Sequence, residues 1–339
     1  MGFRQIASWI LALVCAFAVW EVLASQFVRR AQPLTPLGDT SARIRKGLIV
    51  ASDEGFGRVE FSKDGYRMPT PPSDLKPKVL VLGDSYAEAL QVGPGRDLAS
   101  VMMASLEERG IKAGVWNAGA SGRSPAHYLA LSAHYQKTLS PDLVVIQLNA
   151  SDFNEDLDRL AEGFGFEAEG DGWKLLTPKA PPGSSTVDLL MRSSVLYITG
   201  TRMKGGGGGH GAPKKKSQEE IDREKREKAA KIERFAVWLV PQLAAAYPSL
   251  AITYIPSYDY FANGGEPAPE EAALEQACSA AGVPFINGRG IFRKSFEETG
   301  EPSHGFSNTT PGAGHINATG HRLLGQELAE VLGSVIETK

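Results

Sequence analysis

The chain has 339 residues, of which 42% are hydrophobic and 22% charged, a composition typical of a globular protein with a sizeable core. Its formal net charge of −3 argues against nucleic acid as a partner, because such binding needs a basic surface that neutralises phosphates. Two cysteines, Cys15 and Cys278, are too few for a disulfide framework or a cysteine-rich zinc site.

The N-terminal 30 residues are much more apolar than the rest of the chain. Ile6–Leu23 is an almost unbroken apolar stretch that is long enough to span a bilayer. Two interpretations are open: an uncleaved signal-anchor over residues 1–30, which we favour, or a secretory signal cleaved near Ala24. A short N-terminus before a large domain predicts a single-pass protein of a bacterial inner membrane, with the domain facing the periplasm or the cell exterior.

The remaining chain divides into two predicted parts. Residues 31–77 are irregular and rich in proline, and they predict a juxtamembrane collar with one strand at Gly57–Ser62. Over residues 78–339, strand and helix patterns alternate, which predicts an α/β fold: a three-layer α/β/α sandwich around a short parallel sheet. An insertion at about 158–233 interrupts this alternation and contains a flexible glycine and lysine tract, 204–216, that we interpret as a linker.

The alternation of apolar positions predicts five strands and five helices in the sandwich. In chain order they are strand Val79–Leu82, helix Leu98–Arg109, strand Ala113–Trp116, helix Pro125–Leu139, strand Leu143–Leu148, helix Arg234–Ala246, strand Leu250–Ile255, helix Pro269–Ala281, strand Val283–Ile286 and helix Thr319–Ile336. Within the insertion, Phe164–Leu176 predicts a hairpin and Ser184–Arg202 predicts an amphipathic helix.

The tripeptide Gly83-Asp84-Ser85 follows the first of these strands. A tight turn at that point places the Ser85 hydroxyl at the carboxyl edge of the sheet, where open α/β sheets bind and convert their ligands. A serine becomes a nucleophile when a histidine removes its proton, and His315, just before the last helix, is the candidate base. The sequence therefore predicts acyl-group chemistry at Ser85 and His315, with Asp84 bracing the turn.

Four short blocks carry a resemblance to a known family. They are Gly83-Asp84-Ser85, Asn117-Ala118-Gly119, Asn149-Ala150-Ser151-Asp152 and His315, and their order and spacing resemble those of the SGNH (GDSL-type) hydrolase superfamily over roughly residues 78–160 and 250–335. The membrane segment and the ending Gly314–Asn317 are also similar to anchored members found with envelope polysaccharide machinery.

This resemblance implies a flavodoxin-like fold with Ser85 as the nucleophile. It also implies an oxyanion hole formed by the backbone N–H groups of Ser85 and Gly119 and by an asparagine side chain. The third block departs from the family pattern Gly-x-Asn-Asp, because alignment on Asp152 leaves Ser151 at the asparagine position and Asn149 at the glycine position. Either the Ser151 hydroxyl or the Asn149 amide, two residues upstream on the same strand face, is a candidate donor.

A second departure concerns the residue that orients His315. The family places an aspartate three residues before the catalytic histidine, and this chain has Gly312 there. Two alternatives follow: a backbone carbonyl orients the imidazole in a Ser–His dyad, or another carboxylate does so. Asp152, Glu301 and Asp259 are examples of such carboxylates, and the sequence does not choose among them.

These residues predict an extracytoplasmic serine esterase that needs no metal or other cofactor. Its expected substrate is an acyl ester of an envelope carbohydrate or of a small molecule, with acetyl as the expected acyl group. An O-acyltransferase that uses the same acyl-enzyme remains open, because acceptor binding and water exclusion decide between the two fates. A third alternative is a non-catalytic glycan-binding or scaffold protein with a degenerate site, which Gly312 and the altered third block favour. A nicotinamide cofactor is not expected, because no G-x-G-x-x-G follows a predicted strand.

Overall fold

The computed structural model describes residues 2–24, 35–37, 42–51, 54–158, 163–178, 217–257 and 267–339. Three features singled out in the sequence lie outside these residues: the predicted helix Ser184–Arg202, the tract 204–216 and Asp259.

The described residues form helices and strands in the following order. The helices are α1 (Phe3–Ala24), α2 (Ser85–Glu88), α3 (Leu98–Glu108), α4 (Pro125–Ala130), α5 (Ser132–Thr138), α6 (Ala150–Asp158), α7 (Gln218–Ala246), α8 (Pro269–Ala281), α9 (Gly288–Thr299) and α10 (Ala318–Glu337). The strands are β1 (Thr35–Pro36), β2 (Arg43–Ile44), β3 (Gly47–Ala51), β4 (Gly57–Phe61), β5 (Lys78–Leu82), β6 (Gly114–Asn117), β7 (Leu143–Asn149), β8 (Gly165–Glu169), β9 (Gly172–Leu176), β10 (Leu250–Ile255) and β11 (Phe285–Asn287).

A five-stranded parallel sheet forms the centre of the molecule. Its strand order is β11-β10-β7-β5-β6, and every neighbouring pair is parallel. Counted along the chain from the opposite edge, this is the order 2-1-3-4-5 of flavodoxin-like folds. The predicted fold is confirmed. In such sheets ligands bind outside the carboxyl ends of the strands at the point where the strand order reverses, which here lies between β5 and β7.

The residues of β5 show why helices cover both faces of this sheet. Val79 and Val81 pack in a core cluster with α3 and α10, whereas Leu80 and Leu82 pack in the opposite cluster with α4, α7 and α8. All four side chains are completely buried. A strand that is apolar on both faces is typical of a parallel sheet between two helix layers, so the predicted three-layer sandwich is confirmed.

Most predicted elements are found, with several differences in the helices. Helix α7 begins at Gln218, well before the predicted start at Arg234. The predicted helix Pro125–Leu139 is two helices, α4 and α5, that meet at Leu131. Helices α6 and α9 were not predicted; α9 begins next to two glycines, and its start depends on the Asn287 side chain, which accepts a hydrogen bond from the Arg289 N–H. The predicted hairpin in the insertion is present as β8 and β9.

The segment before the sheet is attached to the sheet domain by buried contacts. Strands β3 and β4 form an antiparallel hairpin, and β4 matches the predicted collar strand. The buried Arg67 side chain follows this hairpin; it donates hydrogen bonds to the carbonyls of Glu88 (3.1 Å) and Val92 (2.8 Å), and its Nε lies 3.1 Å from Asp97 Oδ2. Arg67 therefore joins this segment to the chain around α2, beside the carboxyl edge of the sheet.

Helix α1 is the apolar segment that the sequence predicts at the N-terminus. It has 22 residues, an 18-residue stretch within it has a mean hydropathy of 2.2, and none of its residues is buried in the protein. Its length and composition allow it to cross a membrane, although a signal sequence at this position has the same properties.

Candidate active site

Ser85 lies at the start of α2, immediately after the turn that leaves β5. The Asp84 carboxylate caps this helix by accepting a hydrogen bond from the Tyr86 N–H (2.9 Å). A Cβ atom at Gly83 would lie 2.5 Å from the Ala87 Cβ and 2.7 Å from Gln147 Oε1, so only glycine allows this tight turn. The first N–H groups of a helix have no partner within it, and the Ser85 N–H is one of them.

His315 lies in the loop that leads into α10. Its carbonyl accepts a hydrogen bond from the Gly305 N–H (3.0 Å), and Asn317, two residues after His315, caps α10 with its side chain. The His315 Nε2 lies 2.7 Å from the Ser85 Oγ. The structure thus brings the two predicted catalytic side chains into hydrogen-bond distance.

Glu54, a residue that the sequence analysis missed, contacts the other side of the imidazole. Its Oε2 forms a short contact with His315 Nδ1 and accepts a hydrogen bond from the His315 N–H (3.3 Å). The bond from the His315 side chain lowers the pKa of Glu54 below its ordinary value, and partial burial opposes this effect. A carboxylate at Nδ1 keeps the proton there and leaves Nε2 free to accept the proton of Ser85.

The structure thus places a carboxylate at His315 Nδ1, as one of the two alternatives expects, but this carboxylate is Glu54 and none of the three examples named from the sequence. Asp152 Oδ2 instead accepts a hydrogen bond from the Asn149 N–H (2.8 Å) at the start of α6, and Glu301 is an exposed residue beyond α9. Asp259 lies outside the described residues.

The Glu54 turn, between β3 and β4, lies against the His315 loop, where Asn308 Nδ2 donates a hydrogen bond to the Gly55 carbonyl (3.4 Å). The Gly55 N–H donates a hydrogen bond to Asn308 Oδ1 (2.6 Å). Gly314 has a φ of +83°, and a Cβ atom there would lie 2.5 Å from Glu54 Oε1. Glycine at position 314 therefore provides both the left-handed backbone conformation and the space for the Glu54 carboxylate.

Tyr86 covers one side of the His315 ring. The two ring centroids are 4.6 Å apart, and the Tyr86 hydroxyl donates a hydrogen bond to the Gly314 carbonyl (3.3 Å). Burial is the main cause that raises the pKa of Tyr86, and the carboxylates of Asp84 and Glu54 add to it. The phenol is therefore a neutral donor that fixes the imidazole loop.

The two candidate oxyanion donors of the third block bond to each other. Asn149 Oδ1 accepts hydrogen bonds from the Ser151 N–H (2.8 Å) and the Ser151 hydroxyl (2.6 Å), which uses the only hydroxyl hydrogen of Ser151. Asn149 Nδ2 donates to Asp84 Oδ2 (2.9 Å), which leaves one of its two hydrogens for another acceptor. Of the two candidates, Asn149 retains a donor.

Gly119, the other predicted donor, packs against the backbone of α2. Its N–H donates a hydrogen bond to Asn117 Oδ1 (2.9 Å), so this hydrogen is engaged within the second block. A Cβ atom at position 119 would lie 2.4 Å from the Glu88 N. The observed role of Gly119 is the close approach of its loop to α2.

Asp84 and Asp152, the two predicted supporting residues, brace the backbone around the site. Burial is the main cause that raises the pKa of Asp84, and the hydrogen bonds from Asn149 and Tyr86 oppose it. Within the described residues, no group of three or more histidine, cysteine, aspartate or glutamate side chains is arranged to hold a metal ion.

Comparisons with known proteins give distant structural similarities. No protein-family model and no curated protein matches the chain. An acetyl xylan esterase is 12% identical, with 75% of this chain and 99% of that chain covered and a TM-score of 0.43. A lipolytic protein of the G-D-S-L family from Veillonella parvula is 14% identical (75% and 97% covered, TM-score 0.40), and a carbohydrate acetylesterase from Sinorhizobium meliloti is 14% identical (77% and 100% covered, TM-score 0.37).

Proposed function

We propose that the protein is a serine esterase with a Ser85–His315–Glu54 triad. The observation that carries this proposal is the continuous contact from the Ser85 Oγ to His315 Nε2, at 2.7 Å, and from His315 Nδ1 to the Glu54 carboxylate. A nucleophile, its base and a carboxylate that orients the base are the elements of serine-dependent acyl transfer, and they are recognised by geometry rather than by sequence position.

In the first half of the reaction the enzyme becomes acylated. The Ser85 Oγ attacks the ester carbonyl carbon while His315 Nε2 takes the hydroxyl proton, and Glu54 stabilises the resulting imidazolium. The oxyanion accepts hydrogen bonds from the Ser85 N–H and from the remaining Asn149 Nδ2 hydrogen. The intermediate then collapses: the bond to the alcohol oxygen breaks, and His315 returns the proton to the leaving alcohol.

In the second half His315 Nε2 removes a proton from the acceptor, whose oxygen bonds to the acyl carbon. The bond from this carbon to the Ser85 Oγ then breaks, and His315 returns the proton to Ser85. Water as the acceptor gives an esterase, and a sugar hydroxyl gives an acyltransferase. The side chains of His315 and Glu54 are 25% and 26% exposed, so bulk water reaches the described part of the site. This exposure supports hydrolysis, because a transferase must keep water away from its acyl-enzyme.

The substrate and location follow from the same proposal. We place the site outside the cytoplasm, with α1 as a membrane anchor, because the 22 residues of α1 are long and apolar enough to cross a membrane and precede the domain that carries the site. An ester of an envelope carbohydrate, with acetyl as the acyl group, is then the substrate class within reach of the anchored site. The sequence resemblance to anchored members of the SGNH superfamily supports this assignment.

Of the two observations that favour a non-catalytic scaffold, Gly312 and the altered third block, the structure weakens the first. This alternative rested partly on Gly312, where the expected aspartate is missing. Glu54 provides a carboxylate at His315 Nδ1 from another part of the chain, so the glycine does not make the site degenerate.

The test uses the full-length protein in detergent, with p-nitrophenyl acetate for turnover and a fluorophosphonate probe for labelling. We expect Ser85→Ala and His315→Ala to lower turnover by at least about four orders of magnitude, because loss of either member disables the unit. The matched control is Ser124→Ala: Ser124 Oγ lies 3.1 Å from His127 Nδ1, a second Ser–His pair that is fully buried. Labelling that persists in Ser85→Ala, or is lost in Ser124→Ala, would contradict the proposal.

A further inference from the structure

Glu88 is a buried carboxylate that the proposed reaction does not use. It is the last residue of α2, three residues after Ser85, and its side chain is 0% exposed. Oε1 pairs with the Arg45 guanidinium, and Oε2 accepts hydrogen bonds from the Ser121 N–H (3.1 Å) and the Ser121 hydroxyl. A buried carboxylate is retained only where charge and hydrogen bonds compensate its loss of water, so these partners define a built arrangement.

These contacts hold the loop that follows β6 against α2. The Ala120 N–H donates a hydrogen bond to the Gly83 carbonyl (3.0 Å), and Asn117 Nδ2 donates to the Ala87 carbonyl (2.8 Å). Helix α2 has only four residues, and one turn of helix is not stable by itself. The position of Ser85 is therefore set by what holds the two ends of α2. One end is held by the Gly83 turn, and the other by the Glu88 carboxylate together with the bonds that Asn117 and Arg67 donate to the last carbonyls of the helix.

Arg45 connects these contacts to the orienting residue of the triad. It precedes β3 (Gly47–Ala51), and Glu54 lies in the turn that follows the same strand. A single N-terminal segment thus contacts both halves of the site: Arg45 holds the end of the nucleophile helix, and Glu54 holds the imidazole.

We propose that Glu88 is a positioning residue, which sets the height and angle of the Ser85 hydroxyl by joining α2 to Arg45 and to the Ser121 loop. This inference rests on the proposed esterase function. Glu88 touches no reacting atom, and its effect reaches the reaction through the placement of Ser85. A misplacement of a reacting group by about 1 Å lowers the rate of the chemical step strongly and affects substrate binding little.

The test compares Glu88→Gln with a matched control, Glu271→Gln, in the full-length protein. Glu271 and Arg289 form an ion pair with side-chain exposures of 1% and 14%, close to the 0% and 13% of Glu88 and Arg45, at the opposite edge of the sheet. We expect Glu88→Gln to lower kcat about tenfold with KM within about twofold, whereas Glu271→Gln lowers Tm but leaves kcat within about twofold. Ser121→Ala, which removes only the hydroxyl bond, should lower kcat about threefold and keeps the test valid if Glu88→Gln does not fold.

The outcomes separate this inference from the function on which it rests. A wild-type protein with neither turnover nor fluorophosphonate labelling overturns the esterase proposal and the positioning role together. An active wild type in which Glu88→Gln and Ser121→Ala keep full kcat overturns only the positioning role. Equal loss of kcat in Glu88→Gln and Glu271→Gln also overturns it, because the effect would then be general destabilisation.

Discussion

The two halves of the candidate site reach the sheet edge by different routes. Ser85 follows β5 directly, and the turn, the helix cap and the close-packed glycine are all encoded within a few residues of it. Glu54 comes from a hairpin before the sheet, 261 residues away from the histidine it contacts. The nucleophile is therefore a product of local structure, whereas the orienting carboxylate is a product of tertiary packing. We therefore expect substitutions at Glu54 and at the residues that contact its turn to lower the activity while the protein still folds.

Among the substitutions on the hairpin that carries the orienting carboxylate, we expect Glu54→Gln to lower kcat/KM most. The amide keeps the size of the side chain but does not stabilise the imidazolium or fix the tautomer, so kcat/KM should fall by about 10²- to 10⁴-fold. Steady-state hydrolysis of p-nitrophenyl acetate measures this change. Glu301→Gln, at an exposed carboxylate in the chain segment before His315, is the control and should leave the rate unchanged. If Glu54→Gln hydrolyses the ester as fast as wild type, Glu54 does not contribute to the reaction and the site is a Ser–His dyad.

Gly314→Ala tests the space that Glu54 needs. The new Cβ would collide with Glu54 Oε1, at 2.5 Å, and we expect kcat/KM to fall about 10- to 100-fold as the carboxylate moves away from Nδ1. Gly110→Ala is the matched control, because Gly110 has nearly the same φ, +81° against +83°, and nothing within 4 Å of its Cβ position. Both variants should lose about 1 kcal/mol of stability from backbone strain, but only Gly314→Ala should lose activity.

Asn308→Ala should have a smaller effect on activity. It removes the side chain that accepts the Gly55 N–H bond and so loosens the turn that carries Glu54. Since the other contacts of the turn remain, we expect a loss of about two- to fivefold in kcat/KM, with labelling still at Ser85. Equal activity in Asn308→Ala and wild type would show that the turn does not depend on this bond.

The smallest expected effect is on the pH dependence of stability. The contact with His315 lowers the pKa of Glu54 below its ordinary value of 4.5. A lowered folded-state pKa adds stability that is fully present above pH 4.5 and is lost as the pH falls through the lowered value. Because Glu54 is a quarter exposed, we expect the Tm of wild type to exceed that of Glu54→Gln by only a few degrees. This difference in Tm should become smaller as the pH falls through the lowered pKa of Glu54. A difference that widens on acidification would contradict the assigned contact.

The fold was predictable because its main signals are periodic and local. Buried strands such as Lys78–Leu82 are short apolar runs, and their alternation with helix patterns specifies a parallel sheet. The helices that were missed have weaker signals: α9 carries glycines in its first turn, and α6 follows β7 without a connecting loop. In both cases tertiary packing outweighs the local preference.

Within the site, Ser85 and His315 were predictable because each lies beside an element boundary with a turn signal. Glu54 has no such signal, since nothing in its neighbourhood distinguishes it from the other carboxylates of the chain. Gly314 offers the nearest clue, because a glycine directly before a candidate histidine indicates a close neighbour or a left-handed turn, and here it indicates both. The identity of that neighbour depends on how the hairpin docks.

The most direct test of the central claim is to observe the proton on His315 Nδ1. Proton NMR of the full-length protein in detergent, with ¹⁵N-labelled histidine, detects a hydrogen-bonded imidazole N–H as a downfield signal. We predict that this signal is present in wild type and in Ser85→Ala and is lost in His315→Ala and in Glu54→Ala, which leaves no acceptor at position 54. A signal that survives Glu54→Ala would contradict the triad, because another group would then hold the Nδ1 proton.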